Sequence, residues 1–155
     1  MSEELIDEIL LKYRTVAVVG LSKDEGKDSH RVASFLQKRG FRIIPVNPTA
    51  DSILGEKAYP SLGAIPEELR RQVEIVDIFR PSKDVPAIVD EALSIRREGG
   101  NPKVIWMQLG ITSSGAASIA EEAGMKVVQD RCMMVEAGSR SEMLDFSRLP
   151  EEGQG

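Results

Sequence analysis

The sequence predicts one doubly wound α/β domain built on a mainly parallel, five-stranded sheet. Three observations predict it. The run TVAVV (Thr15–Val19) is apolar on successive residues, the pattern of a strand covered on both faces, and such strands belong to parallel sheets flanked by helices. Further strand-like runs at Arg42–Val46, 73–79, 103–107 and 125–129 alternate with segments of helical periodicity, as crossover connections require. Finally, the first strand runs into a polar, glycine-punctuated loop at 20–28 and then a helix. That arrangement points helix N–H groups and the positive end of the helix dipole at the carboxyl edge of the sheet, where an anion is readily held.

At 155 residues the chain suits a single domain with a sizeable core. The expected division is a leading helix at 1–14, the α/β domain at 15–136 and a tail at 137–155. With 41% apolar and 29% charged residues the composition is that of a soluble globular protein. A net charge of −5 lacks the basic footprint of general nucleic-acid binding. No apolar run approaches the roughly 20 residues that span a bilayer, and the acidic start MSEELIDEILLKY is not a secretory signal. The single cysteine, Cys132, allows no intrachain disulfide and fits a reducing, cytoplasmic setting. With only one histidine beside it, little is left for a transition-metal site.

The elements follow in order. Ser2 caps the leading helix, Glu3 and Glu4 occupy its first turn, and Lys12 and Arg14 lie at its end, all complementing the dipole. Leu5, Ile6, Ile9, Leu10 and Tyr13 form its apolar stripe. The second helix opens near Ser29, buries Val32, Phe35 and Leu36, and stops at Gly40. Pro45 cannot donate to a ladder and is expected at the end of the second strand. Residues 47–71, with Pro48, Gly55, Pro60, Gly63 and Pro66, should be irregular apart from short helical turns at 61–65 and 66–71. The third helix carries Val85, Ile88, Val89 and Ala92, with Pro86 in its first turn. The fourth opens at Ser113 or Ser114, turns Ala117, Ile119, Ala120 and Ala123 inward, and ends at Gly124. Past Glu136 the pattern weakens; a short helix at 141–146 and fraying at 150–155 are expected.

In doubly wound sheets ligands bind outside the carboxyl ends of the strands, where the strand order reverses. Those ends hold donors (Ser22, Asn47, Gln108), cations (Lys23, Arg80, Arg131) and flat or apolar walls (Val46, Pro48, Phe79, Pro81, Trp106). The mixture suits a nucleotide with several phosphates. The dinucleotide fingerprint G-x-G-x-x-G is incomplete, since Gly20 is followed by Ser22 and Glu25 where further glycines would stand. The second tip, Val46-Asn47-Pro48, also lacks the acid or arginine that reads the ribose in NAD and NADP folds, and the next carboxylate is Asp51. NAD is therefore disfavoured.

The runs VAVVGLS, RVASFLQKRGFRIIPVNP, LGEKAYPSL, VDIFRPSKDVPAIVDEAL, VIWMQLGI and VVQDRCMMVE resemble the stand-alone CoA-binding protein family. That family is similar to the N-terminal CoA-binding domain of the succinyl-CoA synthetase α subunit. The resemblance covers residues 15–136 and implies a Rossmann-like domain holding CoA or an acyl-CoA along the strand tips. It places the pyrophosphate over Gly20, Leu21, Ser22 and Lys23 and the helix start at Ser29, His30 and Arg31. Adenosine is enclosed by Val46, Asn47, Pro48, Phe79, Arg80 and Pro81. Trp106, Gln108 and Gly110, at the fourth strand tip, are the remaining candidates.

This sequence departs from the synthetase pattern in two ways. The loop lacks the second glycine of a Gly-Thr-x-Gly turn, and the 155 residues end before the second domain, with its phosphorylated histidine, that the synthetases carry. The expected function is accordingly CoA binding without catalytic machinery of its own. Competing readings are an NAD(P)-binding protein or oxidoreductase, and a subunit presenting CoA to an acyl-CoA-related enzyme; a protein partner is left open. His30 reads as a phosphate contact or a solvated helix-start residue rather than a catalyst, because no paired acid accompanies it. Trp106 reads equally as core or pocket wall, and Cys132 as a packing thiol beside Met133 and Met134 rather than a reactive thiol activated by Arg131. Gly20→Val is expected to block close approach of a phosphate without unfolding the domain.

Overall fold

Successive side chains of a strand point to opposite faces, so the apolar run of the first strand must be covered twice. In the computed structural model, which describes residues 2–144, it is. Val16 and Val18 of β1 (Thr15–Val19) join one buried cluster, and Ala17 and Val19 join another on the opposite face. Four more strands complete a parallel sheet in the order β2-β1-β5-β6-β7. They are β2 (Arg42–Val46), β5 (Ile75–Ile78), β6 (Val104–Met107) and β7 (Lys126–Val128).

Helices α1 (Glu3–Lys12), α2 (Asp28–Lys38) and α6 (Met133–Gly138) cover the first face, and α4 (Val85–Gly99) and α5 (Ser114–Glu122) the second. A four-residue helix, α3 (Glu67–Arg70), leads into β5. Ser2 caps α1 through its Oγ, which accepts the Leu5 N–H at 3.1 Å, and Ile6, Ile9 and Leu10 are wholly buried beneath. Among the described residues, no helix is long and apolar enough to cross a membrane.

Several elements differ from expectation. Pro45 is the fourth residue of β2 rather than its last. It is tolerated because β2 is an edge strand, and the Pro45 carbonyl faces outward to accept the Tyr59 N–H at 3.1 Å. The stretch after β2 is not wholly irregular, since β3 (Ser52–Ile53) and β4 (Glu56–Lys57) form a small antiparallel hairpin. Leu54 and Gly55 turn it with φ of +56° and +76°. Phe35 is only partly buried. Ile119 is 56% exposed and Ala123 is exposed as well, because α5 packs through Ala116, Ala117 and Ala120. Helix α6 was not expected. Residues 141–144 form a turn in which the Leu144 N–H meets the Arg140 carbonyl at 2.9 Å. The remainder of the expected 141–146 helix, and 150–155, lie outside the described residues.

Candidate functional site

The sheet order reverses between β1 and β5, because β2 lies on one side of β1 and the later strands on the other. At that point the carboxyl ends of β2, β1 and β5 open into a cleft of about 540 Å³. Gly20 forms its floor. Its φ of +89° favours glycine, and a Cβ there would stand 3.0 Å from the Phe79 carbonyl oxygen and 3.1 Å from Arg80 Cδ. The glycine therefore lets the tips of β1 and β5 pass each other. This corrects the expectation that Gly20→Val would spare the fold.

Asn47 joins the tip of β2 to the loop after β1. Its Nδ2 donates to the Leu21 carbonyl at 2.8 Å, while its Oδ1 accepts from the Thr49 N–H at 2.8 Å, the Thr49 hydroxyl at 3.0 Å and the Ala50 N–H at 3.1 Å. The loop itself is folded on its own side chains. Ser29 Oγ, buried in the first turn of α2, accepts the Ser22 N–H at 2.9 Å. Ser22 Oγ accepts from the Asp24 N–H, and Asp24 Oδ1 from the Gly26 N–H. These short-range bonds take the place of the second glycine in fixing the turn. Lys27, at the N-cap of α2, makes no side-chain capping bond, which leaves the first-turn N–H groups without a capping side chain.

Across the cleft, Arg80 Nη2 donates to Asp84 Oδ2 at 3.1 Å. Glu91 accepts from the Leu62 and Gly63 N–H groups at 3.2 and 3.3 Å, holding the 61–65 turn against α4. The charged lining is thus one guanidinium and two carboxylates. That suits hydrogen-bond donors such as ribose hydroxyls and an exocyclic amine better than phosphates.

Of the sequence candidates, Gly20, Ser22, Val46, Asn47, Pro48 and Arg80 line this cleft. Leu21 is buried in the first-face core, Ser29 supports the loop, and Lys23 is exposed beyond Ser22. Phe79 packs partly buried against the first-face core, with Pro81 exposed beside Arg80. His30 and Arg31 lie elsewhere, in a groove of about 510 Å³ beside Phe35 and Lys38, where Arg31 is ion-paired with Asp28. Trp106 is fully buried in the core, its indole N–H donating to the Arg131 carbonyl at 2.8 Å. Gln108 is buried and bonded to Asp77, and the Gly110 N–H is held by Asp130 at 2.6 Å.

Sequence reasoning missed Thr49, Pro60, Ser61, Asp84, Ala87, Ile88 and Glu91 in the cleft. Asp84, Ala87, Ile88 and Glu91 recur at helical spacing, which marks one flank of α4, but nothing in the sequence shows that this flank faces the β2 tip. Asp77 was also missed. Burial pushes its carboxyl up to about 7, against a smaller lowering by the Gln108 amide, and its Oδ2 has no hydrogen-bond partner. Among the described residues no group of three or more His, Cys, Asp or Glu could hold a metal ion.

The comparisons with known proteins agree with this fold. Residues 14–138 match the family model described as a CoA binding domain. The chain is 37% identical over 134 residues to the uncharacterized protein YneT of Bacillus subtilis, covering 86% of this chain and 93% of that one. It is 30% identical over 157 residues to acetate–CoA ligase (ADP-forming) I of Archaeoglobus fulgidus, a match over 95% of this chain and 22% of the ligase. A hypothetical protein from Pyrococcus horikoshii superimposes with a TM-score of 0.79 at 34% identity, covering 90% of this chain and 92% of that one.

Proposed function

This chain belongs to the CoA-binding domain family, and from that premise we propose that it holds CoA or an acyl-CoA in the cleft at the β2, β1 and β5 tips, without a catalytic centre of its own. The observation that carries the reading is the cleft at the reversal of strand order, floored by a glycine that no other residue could replace without strain. Adenosine fits between Val46, Pro48 and the α4 flank, with its hydroxyls and amine toward Asp84, Glu91 and Ser61. The phosphates then lie on the side of Gly20, Ser22 and Lys23, near the uncapped first turn of α2.

Asn47 supports CoA over NAD, because the side-chain oxygen at the ribose-reading tip is already occupied by Thr49 and Ala50. The likeness to part of an acetate–CoA ligase extends the reading to a module that presents CoA to a partner, in a cytoplasmic setting consistent with one free cysteine. The test is ligand-dependent melting. At about 100 times its dissociation constant CoA should stabilise the protein by about 2.7 kcal/mol, and it should raise Tm more than NAD or NADP at equal concentration. The reverse ranking would overturn the reading.

A further inference from the structure

An adenosine diphosphate arm can carry a phosphate on its ribose or a free hydroxyl, and the charges of the cleft distinguish the two. The α4 wall brings two half-buried carboxylates, Asp84 at the helix N-cap and Glu91 two turns on. Glu91 stands where an anion would be bound. Its carboxylate oxygens accept the Leu62 and Gly63 N–H groups at 3.2 and 3.3 Å, so a negative charge of the protein already fills the donors of that turn. Among the described residues that line the cleft, Arg80 alone is a cation. It is bonded to Asp84 at 3.1 Å, and its Cδ lies 3.1 Å from where a Gly20 Cβ would stand. That places its stem over the β1 tip, on the side of the diphosphate rather than the ribose. The β2 tip, which reads the ribose in dinucleotide folds, runs Val46-Asn47-Pro48-Thr49 without a charge, and the next charged residue is Asp51. Lys57 of the β3–β4 hairpin lies 5.7 Å from the centroid of the Tyr59 ring and is not part of the lining.

Resting on the reading that the cleft holds the adenosine end of a CoA-type ligand, we propose that it selects an unphosphorylated ribose. The preferred ligand is then dephospho-CoA, the same skeleton with a free 3′-hydroxyl, and Glu91 is the residue that sets the preference. A phosphate monoester carries roughly −1.5 to −2 charge at pH 7. Beside Glu91 and Asp84, in a cleft that partly excludes water, that charge meets like charge with reduced screening. A free 3′-hydroxyl instead donates a charge-assisted hydrogen bond to a carboxylate. The discrimination therefore lies in repulsion of the phosphorylated form as much as in attraction of the other.

Calorimetric titration of the full chain with CoA and dephospho-CoA tests this. Dephospho-CoA should bind the wild-type protein roughly tenfold more tightly than CoA at low salt. The ratio should shrink in about 0.5 M sodium chloride, where screening weakens the repulsion. Glu91→Gln keeps the side-chain shape and an oxygen for the turn, and should bring the ratio below about threefold by tightening CoA. Thr49→Lys, at an exposed position of the β2 tip, sets a cation against the 3′-phosphate and should make CoA the tighter ligand. It leaves Glu91 and its turn intact, so the test does not depend on the folding of the first variant. Equal or tighter binding of CoA by the wild-type protein would overturn the selection and leave the cleft standing. A preference that survives both variants, or a ratio unmoved by salt, would do the same. Binding of neither ligand would overturn both.

Discussion

At Gly20 the chain turns with φ of +89° while passing within contact of the Phe79 carbonyl. A methyl group there meets both a left-handed backbone penalty and a rigid backbone neighbour. Gly20→Ala should therefore cost about 2 kcal/mol of stability in the ligand-free protein, read as a lower denaturant midpoint. An unchanged midpoint would mean that the glycine serves only a ligand. Asp77 makes a separate prediction. Its folded pKa is raised to about 7 from 3.8, so between those values the native state binds more protons than the unfolded chain. Stability should then fall as pH rises through that window, at up to about 1.4 kcal/mol per pH unit, and level off above it. Asp77→Asn removes the titration and should flatten this contribution to the stability–pH curve. A wild-type curve no steeper than that of the variant would contradict the buried, proton-holding carboxyl.

At the scale of elements, α1 and the end of α6 are tied by Arg140. Its guanidinium bonds Asp7 at 2.5 Å, Glu136 at 3.0 Å and Glu3 at 3.2 Å, with only 10% of the side chain exposed. Arg140→Ala would leave Glu136, itself largely buried, with only the longer 3.5 Å pairing to Arg131 as its cation. The expected loss is about 2–3 kcal/mol, accompanied by faster amide exchange in α1, and unchanged exchange there would mean that α1 is held by its apolar face alone. The sequence assigned Arg140 to a weakly patterned tail, because an ion network across 137 residues leaves no local trace. The long elements were legible for the opposite reason. Two-faced strands such as Val16–Val19 and the stripe of α1 are written in local periodicity. The β3–β4 hairpin was not, since two-residue strands carry no period and Leu54 is an improbable occupant of a positive φ. Similarly, the tips contributing Gly20, Asn47 and Arg80 could be read from strand ends, whereas Asp84 and Glu91 enter the cleft only through the rotation of α4 about its own axis.

Across the whole molecule, two apolar layers sandwich one sheet, and Trp106 sits in the layer beneath α1, α2 and α6. Its position at a strand tip allows either a pocket wall or core, and burial on both sides of β6 decides for core. With its indole N–H bonded to Arg131 and no exposure, the emission of the only tryptophan should be blue-shifted and insensitive to a ligand in the cleft. CoA titration should thus release binding heat with little change in Trp106 fluorescence. The same residue becomes a probe of global unfolding instead. Ile6, Ile9 and Leu10 of the leading helix share its cluster with Val16, Val18 and Met133, so the helix and the sheet should melt as one unit. Unfolding followed by Trp106 emission should coincide with that followed by far-ultraviolet circular dichroism, as a two-state transition requires, and CoA should shift both midpoints equally. An early loss of helical signal before the Trp106 transition would show that α1 is a separable appendage rather than part of the core.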